Sequence, residues 1–357
     1  MDPGRPAGEL MSLINKLQEA LTLEPKFQPH LELPESSDDP GEITAGIRDG
    51  SAHVLRCLKV WYDLPSDVLF VAINLMDRFL TKMMARPKHM ACISVAAFQL
   101  AARQVSSALR SDEVVEIPDS KDLASISQCK CTLGDLTRME GIISQKLGAE
   151  PNTLPITALT FVRLLNSIFA TAAKEAGISD VYSQVMSQCS IWVQLEIIIC
   201  DVTCSNYRPV EIALVLLCST FHLYTNKYPE ISRLVGLVLE LRKICQITDE
   251  NFCLCHETIV RILGRYNAHT QMPYRQRLVW RLSQRTMRLL RPTDKLVSTL
   301  PTIDEHGQLQ LPLRSRFGSL SSEESWESGE EWPTSGMQSV AEEEEEVPPS
   351  TFHCDLT

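Results

Sequence analysis

Long apolar runs are missing from this 357-residue chain: the longest clean one, Ile212 to Cys218, has seven residues, about a third of what a bilayer span requires. The amino terminus, MDPGRPAGEL, places no basic patch ahead of an apolar block, so neither a secretory leader nor a membrane segment is expected. Glycine-rich phosphate loops and nucleophile motifs are also lacking. The cysteine groups CKC (Cys129, Cys131) and CLCH (Cys253, Cys255, His256) have no matching C-x-x-C partner, so they are read as thiols and not as zinc ligands. His89 lies in a stretch that reads as a buried helix and is taken as a packed residue rather than a base. No catalytic residue, metal or cofactor is therefore expected, and the chain is read as not an enzyme.

What the chain does have is charge, unevenly placed. The net charge is -11, yet from Pro301 onward thirteen acidic residues face only Arg314 and Arg316, which leaves the preceding body neutral. Such a split argues for an appended solvated segment rather than an acidic globule. Twelve cysteines are present. Most, such as Cys57, Cys92, Cys200 and Cys218, sit in apolar helical patterns, where a reduced thiol acts as a small hydrophobe. A reducing compartment, nucleus and cytoplasm, is expected.

Strand signals are scarce and apolar positions recur at three and four, so the body reads as all-α. An opening helix over Gly8–Leu23 should stop before Pro25, with a proline-rich acidic linker behind it. Helices are predicted over Ile43–Tyr62, from Pro65 through Phe79, over the nearly all-apolar stretch between Pro87 and Arg103, over Leu123–Cys129 and over residues 133–147. Beyond AEPNTLP a second set follows: Ile156–Ala172, Asp180–Cys200, Pro209–Leu223, Pro229–Cys245 and Asp249–Tyr266. Residues 275–290 then place Leu278, Leu282, Leu289 and Leu290 at helical spacing among arginines. From Pro312 onward Ser, Glu, Pro and Gly dominate and periodicity is lost, as in a disordered tail.

The segments NLMDRFL (74–80), RPKHMACISVAAFQLAAR (86–103) and LTRME (136–140) together resemble the cyclin box. The spacing of Arg48, Asp77, Arg103 and Glu140 fits it, and LVWRLSQRTMRLLR followed by LPTIDE resembles the carboxyl-terminal signature of the cyclin G/I group, G type. This resemblance implies two tandem five-helix cyclin-box domains with an N-terminal helix and a disordered acidic C-terminal tail. The segments would be an N-terminal helix and linker over 1–41, the first box over 42–150, the second helical domain over 151–268, a basic helix and docking motif over 269–306, and the tail over 307–357.

By the same resemblance Arg103 and Glu140 would face a cyclin-dependent kinase, and Arg48 and Asp77 would form a structural ion pair. Arginine replaces the family's lysine at 103, and its planar fork is not geometrically equivalent to an ammonium. Gln104, Val105 and Ser106 stand where the family carries aromatic and acidic residues, which argues against productive kinase activation. The substrate-docking patch of other cyclins falls on Ile47, Gly50, Ser51 and Val54, which lack its aromatic anchor. Leu300, Ile303 and Glu305, with Asp304, match the L-x-x-I-x-E motif read by B-prime regulatory subunits of protein phosphatase 2A. An extended peptide of this kind seats two apolar side chains in pockets while carboxylates meet a basic rim. Ser298 and Thr299 beside it, and Ser321, Ser322, Ser325 and Ser328 in the tail, are candidate phosphosites.

The expected function is an atypical cyclin serving as a regulatory adaptor in cell-cycle and growth control, which recruits the phosphatase and binds a kinase. Two alternatives stand beside it: a conventional activating subunit of a cyclin-dependent kinase, and a cyclin-fold transcription factor whose arginine-rich segment meets nucleic acid. The neutral body disfavours nucleic acid.

Overall fold

The computed structural model describes residues 5–108, 116–127, 129–148 and 153–267, with two short segments at 302–303 and 309–310. The six helices of the first part are α1 (Arg5–Phe27), α2 (Ala45–Trp61), α3 (Ser66–Lys82), α4 (Met90–Ala108), α5 (Ser120–Ser127) and α6 (Leu133–Leu147). Those of the second are α7 (Ala158–Glu175), α8 (Ser179–Gln188), α9 (Ile191–Ile199), α10 (Pro209–Tyr224), α11 (Val235–Ile244) and α12 (Asp249–Asn267). At 302–303 and 309–310 the backbone forms a two-residue antiparallel pair, β1 (Thr302–Ile303) and β2 (Leu309–Gln310), with Ile303 opposite Leu309. Among the described residues no helix is long and apolar enough to cross a membrane.

Two apolar cores organise the body. The first is built on α3 against α4, where Met76, Phe79, Ile93 and Phe98 are fully enclosed. Helix α4 can be buried on almost every side because Ala96, Ala97, Ala101 and Ala102 let its neighbours come close. The second core centres on α7 and α10, where Phe169 meets Phe221 edge to face at 4.9 Å between ring centroids. Each buried phenylalanine contributes about 1.5–3 kcal/mol relative to its exposed state.

Local chemistry sets where the helices begin and end. Thr132 and Asp135 exchange hydrogen bonds with each other's backbone N–H at the start of α6, and Gly148 ends that helix in the left-handed region at φ 56°. Pro209 opens α10, while the Glu211 carboxylate accepts from the Arg208 N–H.

Two expectations are corrected. The opening helix does not stop before Pro25 but runs on to Phe27. Pro25 removes the hydrogen bond that residue 25 would donate to the Leu21 carbonyl, and that turn is held instead by tertiary contacts. Glu24 is completely enclosed against α10, Phe27 is buried, and the Phe27 carbonyl accepts from Asn74 Nδ2 at 2.6 Å. Helix α1 thereby joins the second core through Leu17 and Ala20.

The single helix expected over Asp180–Cys200 is two, α8 and α9, so the second set holds six α-helices. Its apolar register slips. Helix α8 turns Tyr182 and Val185 inward, and α9 turns in Ile191, Leu195 and Ile198. A continuous helix carrying the α8 stripe forward would instead point Trp192 and Val193 inward, and both are exposed. The break at Cys189 and Ser190 lets both stripes reach the core.

Candidate functional site

Arg48 on α2 lies at the seam between the cores with 1% of its surface exposed. Its Nε and Nη2 donate to Asp77 Oδ1 and Oδ2 of α3 at 2.9 and 2.6 Å, a two-pronged pair. Its Nη1 donates to the Ile199 carbonyl at 3.2 Å and to Asp49 Oδ1 at 3.4 Å. Asp49 also accepts from the Val202 N–H at 2.8 Å. Burial alone would pull the guanidinium pKa down, but Asp77 and Asp49 more than offset it and the net shift is upward. The structure thus places Arg48 and Asp77 together and adds Asp49 and the end of α9. Those additions join residues about 150 positions apart, which no local pattern announces.

A second charged group crosses the same seam. Glu196 of α9, itself buried, accepts from Arg56 Nε at 3.3 Å, Lys59 Nζ at 2.9 Å and Ser66 Oγ at 2.8 Å. Burial pushes its pKa up, yet the hydrogen bonds and charges of these partners win and hold it below the ordinary 4.5. A depressed carboxylate contributes stability that is present above the unfolded-state pKa and lost as pH falls through the folded one. Glu196→Gln is therefore expected to be less stable than wild type at pH 7. The difference should shrink as pH drops below about 4.5, read as urea midpoints of both proteins across that range. A gap that widens toward acid would contradict this.

The Arg103–Glu140 pair sits near the end of α4 and in the middle of α6. Arg103 Nη1 is 2.6 Å from Glu140 Oε2, and the side chains are 48% and 8% exposed. Burial raises the Glu140 pKa and the neighbouring guanidinium offsets this only in part. The arrangement is a half-exposed cation steered by an enclosed carboxylate, with guanidinium donors left for a second acceptor. Gln104 and Val105 behind it are buried, so neither is offered outward.

On α2, Ile47, Gly50, Ser51 and Val54 are all partly buried, and a Cβ built on Gly50 would meet nothing within 4 Å. Ser51 Oγ is spent on the Ile47 carbonyl at 3.0 Å. This face has no aromatic anchor.

Of the proposed docking segment, only the backbone of Ile303, in β1, falls within the described residues. Leu300, Asp304, Glu305, Ser298, Thr299, Ser321, Ser322, Ser325 and Ser328, with the arginine-rich stretch 275–290, lie outside them. His89 is a half-buried residue at the turn before α4; burial lowers its pKa, helped by Lys88 and Arg86.

A family model described as "Cyclin, N-terminal domain" matches residues 16–150. Cyclin G of Drosophila melanogaster is 44% identical over 340 residues, which cover 93% of this chain and 58% of the fly protein. The chain thus spans less than two thirds of that relative. Cyclin-G2 of Homo sapiens is 33% identical over 304 residues, 84% of this chain and 83% of the human one. A viral cyclin from herpesvirus saimiri aligns over 71% of this chain and 100% of its own at 16% identity, with a TM-score of 0.48.

Proposed function

The chain belongs to the cyclin family, in its G group, and from that premise we propose that it is a non-catalytic adaptor joining a phosphatase to a kinase. Its role is regulatory, as befits a family of regulatory subunits. The observation that carries the kinase side is the Arg103–Glu140 pair. A cation fixed by an enclosed partner loses little freedom when it docks, which lowers the ordering cost of binding. A cyclin-dependent kinase is the partner this pair suits.

The phosphatase side rests on the sequence. Leu300, Ile303 and Glu305 fit the L-x-x-I-x-E pattern and stand at the head of the acidic tail, with Asp304 adding charge. A B-prime subunit of protein phosphatase 2A with two apolar pockets and a basic rim would accept them. Phosphates on Ser298 or Thr299 would add negative charge beside the motif and tune its affinity. Control of cell-cycle and growth signalling in nucleus and cytoplasm is part of the same proposal.

Conventional kinase activation is the second reading, favoured by the same ion pair. The inward placement of Gln104 and Val105 leaves it less support.

Affinity purification of the intact chain beside two variants tests the adaptor reading. Leu300→Ala with Ile303→Ala is expected to lower B-prime recovery by roughly tenfold or more, since two anchors each carry about 1–2 kcal/mol, and to leave kinase recovery intact. Arg103→Glu should do the reverse. Unchanged phosphatase recovery in the double variant removes that arm, and stimulation of kinase activity by the purified wild type favours the second reading.

A further inference from the structure

Three helices meet where α12 ends. Glu196 of α9 accepts from Arg56 and Lys59 of α2. Arg56 Nη1 donates in turn to the Tyr266 hydroxyl of α12 at 3.2 Å, with its guanidinium 5.9 Å from the centre of that ring. Around this knot a set of apolar side chains faces outward. Trp192 and Val193 stand one turn before Glu196 and flank its direction on α9. Val60 follows Lys59 at the end of α2. These three and Tyr266 are 39% to 65% exposed. Clustered apolar exposure of this kind marks an interaction surface, whereas single exposed residues do not. The rim of the shelf is positive. Arg56 and Lys59 are joined by Arg261 and Arg265, both exposed in the last turns of α12, against Glu196 and the exposed Asp63 and Glu257.

We propose that this shelf is the docking site of the chain's own acidic tail, which seats Trp326 and Trp332 on Trp192, Val193 and Val60 and sets its glutamates against the arginines of the rim.

The tail has the matching chemistry. Trp326 and Trp332, which lie outside the described residues, stand among Glu323, Glu324, Glu327, Glu330 and Glu331, and no lysine or arginine occurs between Phe317 and Thr357. Aromatic anchors carry such a contact, and opposite charge on the two sides steers them together. The arginine-rich stretch at 275–290 has the wrong sign for this rim. Reach is no obstacle. The chain leaves α12 beside the shelf, and fifty-nine positions separate Asn267 from Trp326, for a root-mean-square span of about 40 Å. Tethered at that span, the tail is present at roughly millimolar effective concentration, so two aromatic anchors hold it without a large interface. Docked there, it closes the shelf to other proteins, and its release opens the shelf.

The test places the photo-crosslinking residue p-benzoylphenylalanine at position 326 of the full-length chain and, in a second protein, at position 332. Each is irradiated in dilute solution and digested with trypsin. The expected product has the mass of a single chain and joins the tail peptide to residues 60–78, 175–227 or 266–275, the peptides that carry Val60, Trp192 with Val193, and Tyr266. Fragmentation should place the link in 175–227 at Trp192 or Val193. Trp192→Ala with Val193→Glu, at two exposed positions, should cut the yield by about fivefold or more, and raising salt to about 0.5 M should also lower it. No crosslink from either position, a product of twice the mass, links spread over the whole surface, or a yield that the double variant leaves unchanged overturns the proposal. The crosslinking map is read on an unaltered body, so it decides the matter even where the double variant folds poorly.

Discussion

Asp77→Ala should lower the unfolding free energy by about 3–5 kcal/mol, the cost of stranding one member of a buried ion pair. The substitution takes away two of the hydrogen bonds on a guanidinium that is 1% exposed. What is left is the Ile199 carbonyl and a longer contact to Asp49, too little to compensate for dehydration. Most of the loss measures the stranded charge rather than the worth of the pair. A triple variant, Arg48→Met with Asp77→Leu and with Asp49→Asn so that no carboxylate is stranded in turn, should therefore recover much of it, because apolar side chains of similar volume often substitute for such pairs. Urea denaturation of the three proteins decides the point. A fall below about 1 kcal/mol in Asp77→Ala would mean that water reaches the seam, as it does for surface pairs.

Glu24→Ala is the second large effect, expected near 3 kcal/mol, the lower end of the range for broken buried pairs. Glu24 is 0% exposed. Its carboxylate accepts from Arg208 Nε and Nη2 at 3.0 and 2.6 Å, and from the Val210 N–H at 2.9 Å. The loss is smaller than at Asp77 because the Arg208 side chain, 31% exposed, can regain water. Burial pushes the Glu24 pKa up and its bonds to Val210 and Arg208 return only part of that shift. Amide hydrogen exchange gives the distinguishing readout. The Val210 amide and the α1 backbone should exchange faster in Glu24→Ala, while α4 and α6 keep their protection. Unchanged exchange at Val210 would show that α1 is held by Leu17, Ala20 and Phe27 without the carboxylate.

Much of the architecture was legible because it is local. The periodicity of α3, α4, α6 and α10 follows from apolar spacing, and the starts of α6 and α10 from Thr132 and Pro209. Arg48 with Asp77, and Arg103 with Glu140, were paired through family resemblance, since a separation of 29 or 37 residues carries no signal of its own. The rest depended on tertiary contacts. Pro25 is a helix breaker by propensity, and only the enclosure of Glu24 and Phe27 overrides it. The slip between Val185 and Ile191 is present in the sequence, yet it becomes a break only once both stripes must face one core. Glu196 carries no local sign of its role, because Arg56, Lys59 and Ser66 lie 130 to 140 residues away.

The seam also governs how damage spreads. Because Arg48 and Asp49 hold the tail of α9 and the turn after it, while Glu196 reaches back to α2 and α3, neither bundle can loosen without stranding ions in the other. Melting should be a joint event, so an injury far inside one bundle is felt as lost cohesion in its neighbour, whichever surface the injured residue was meant to serve.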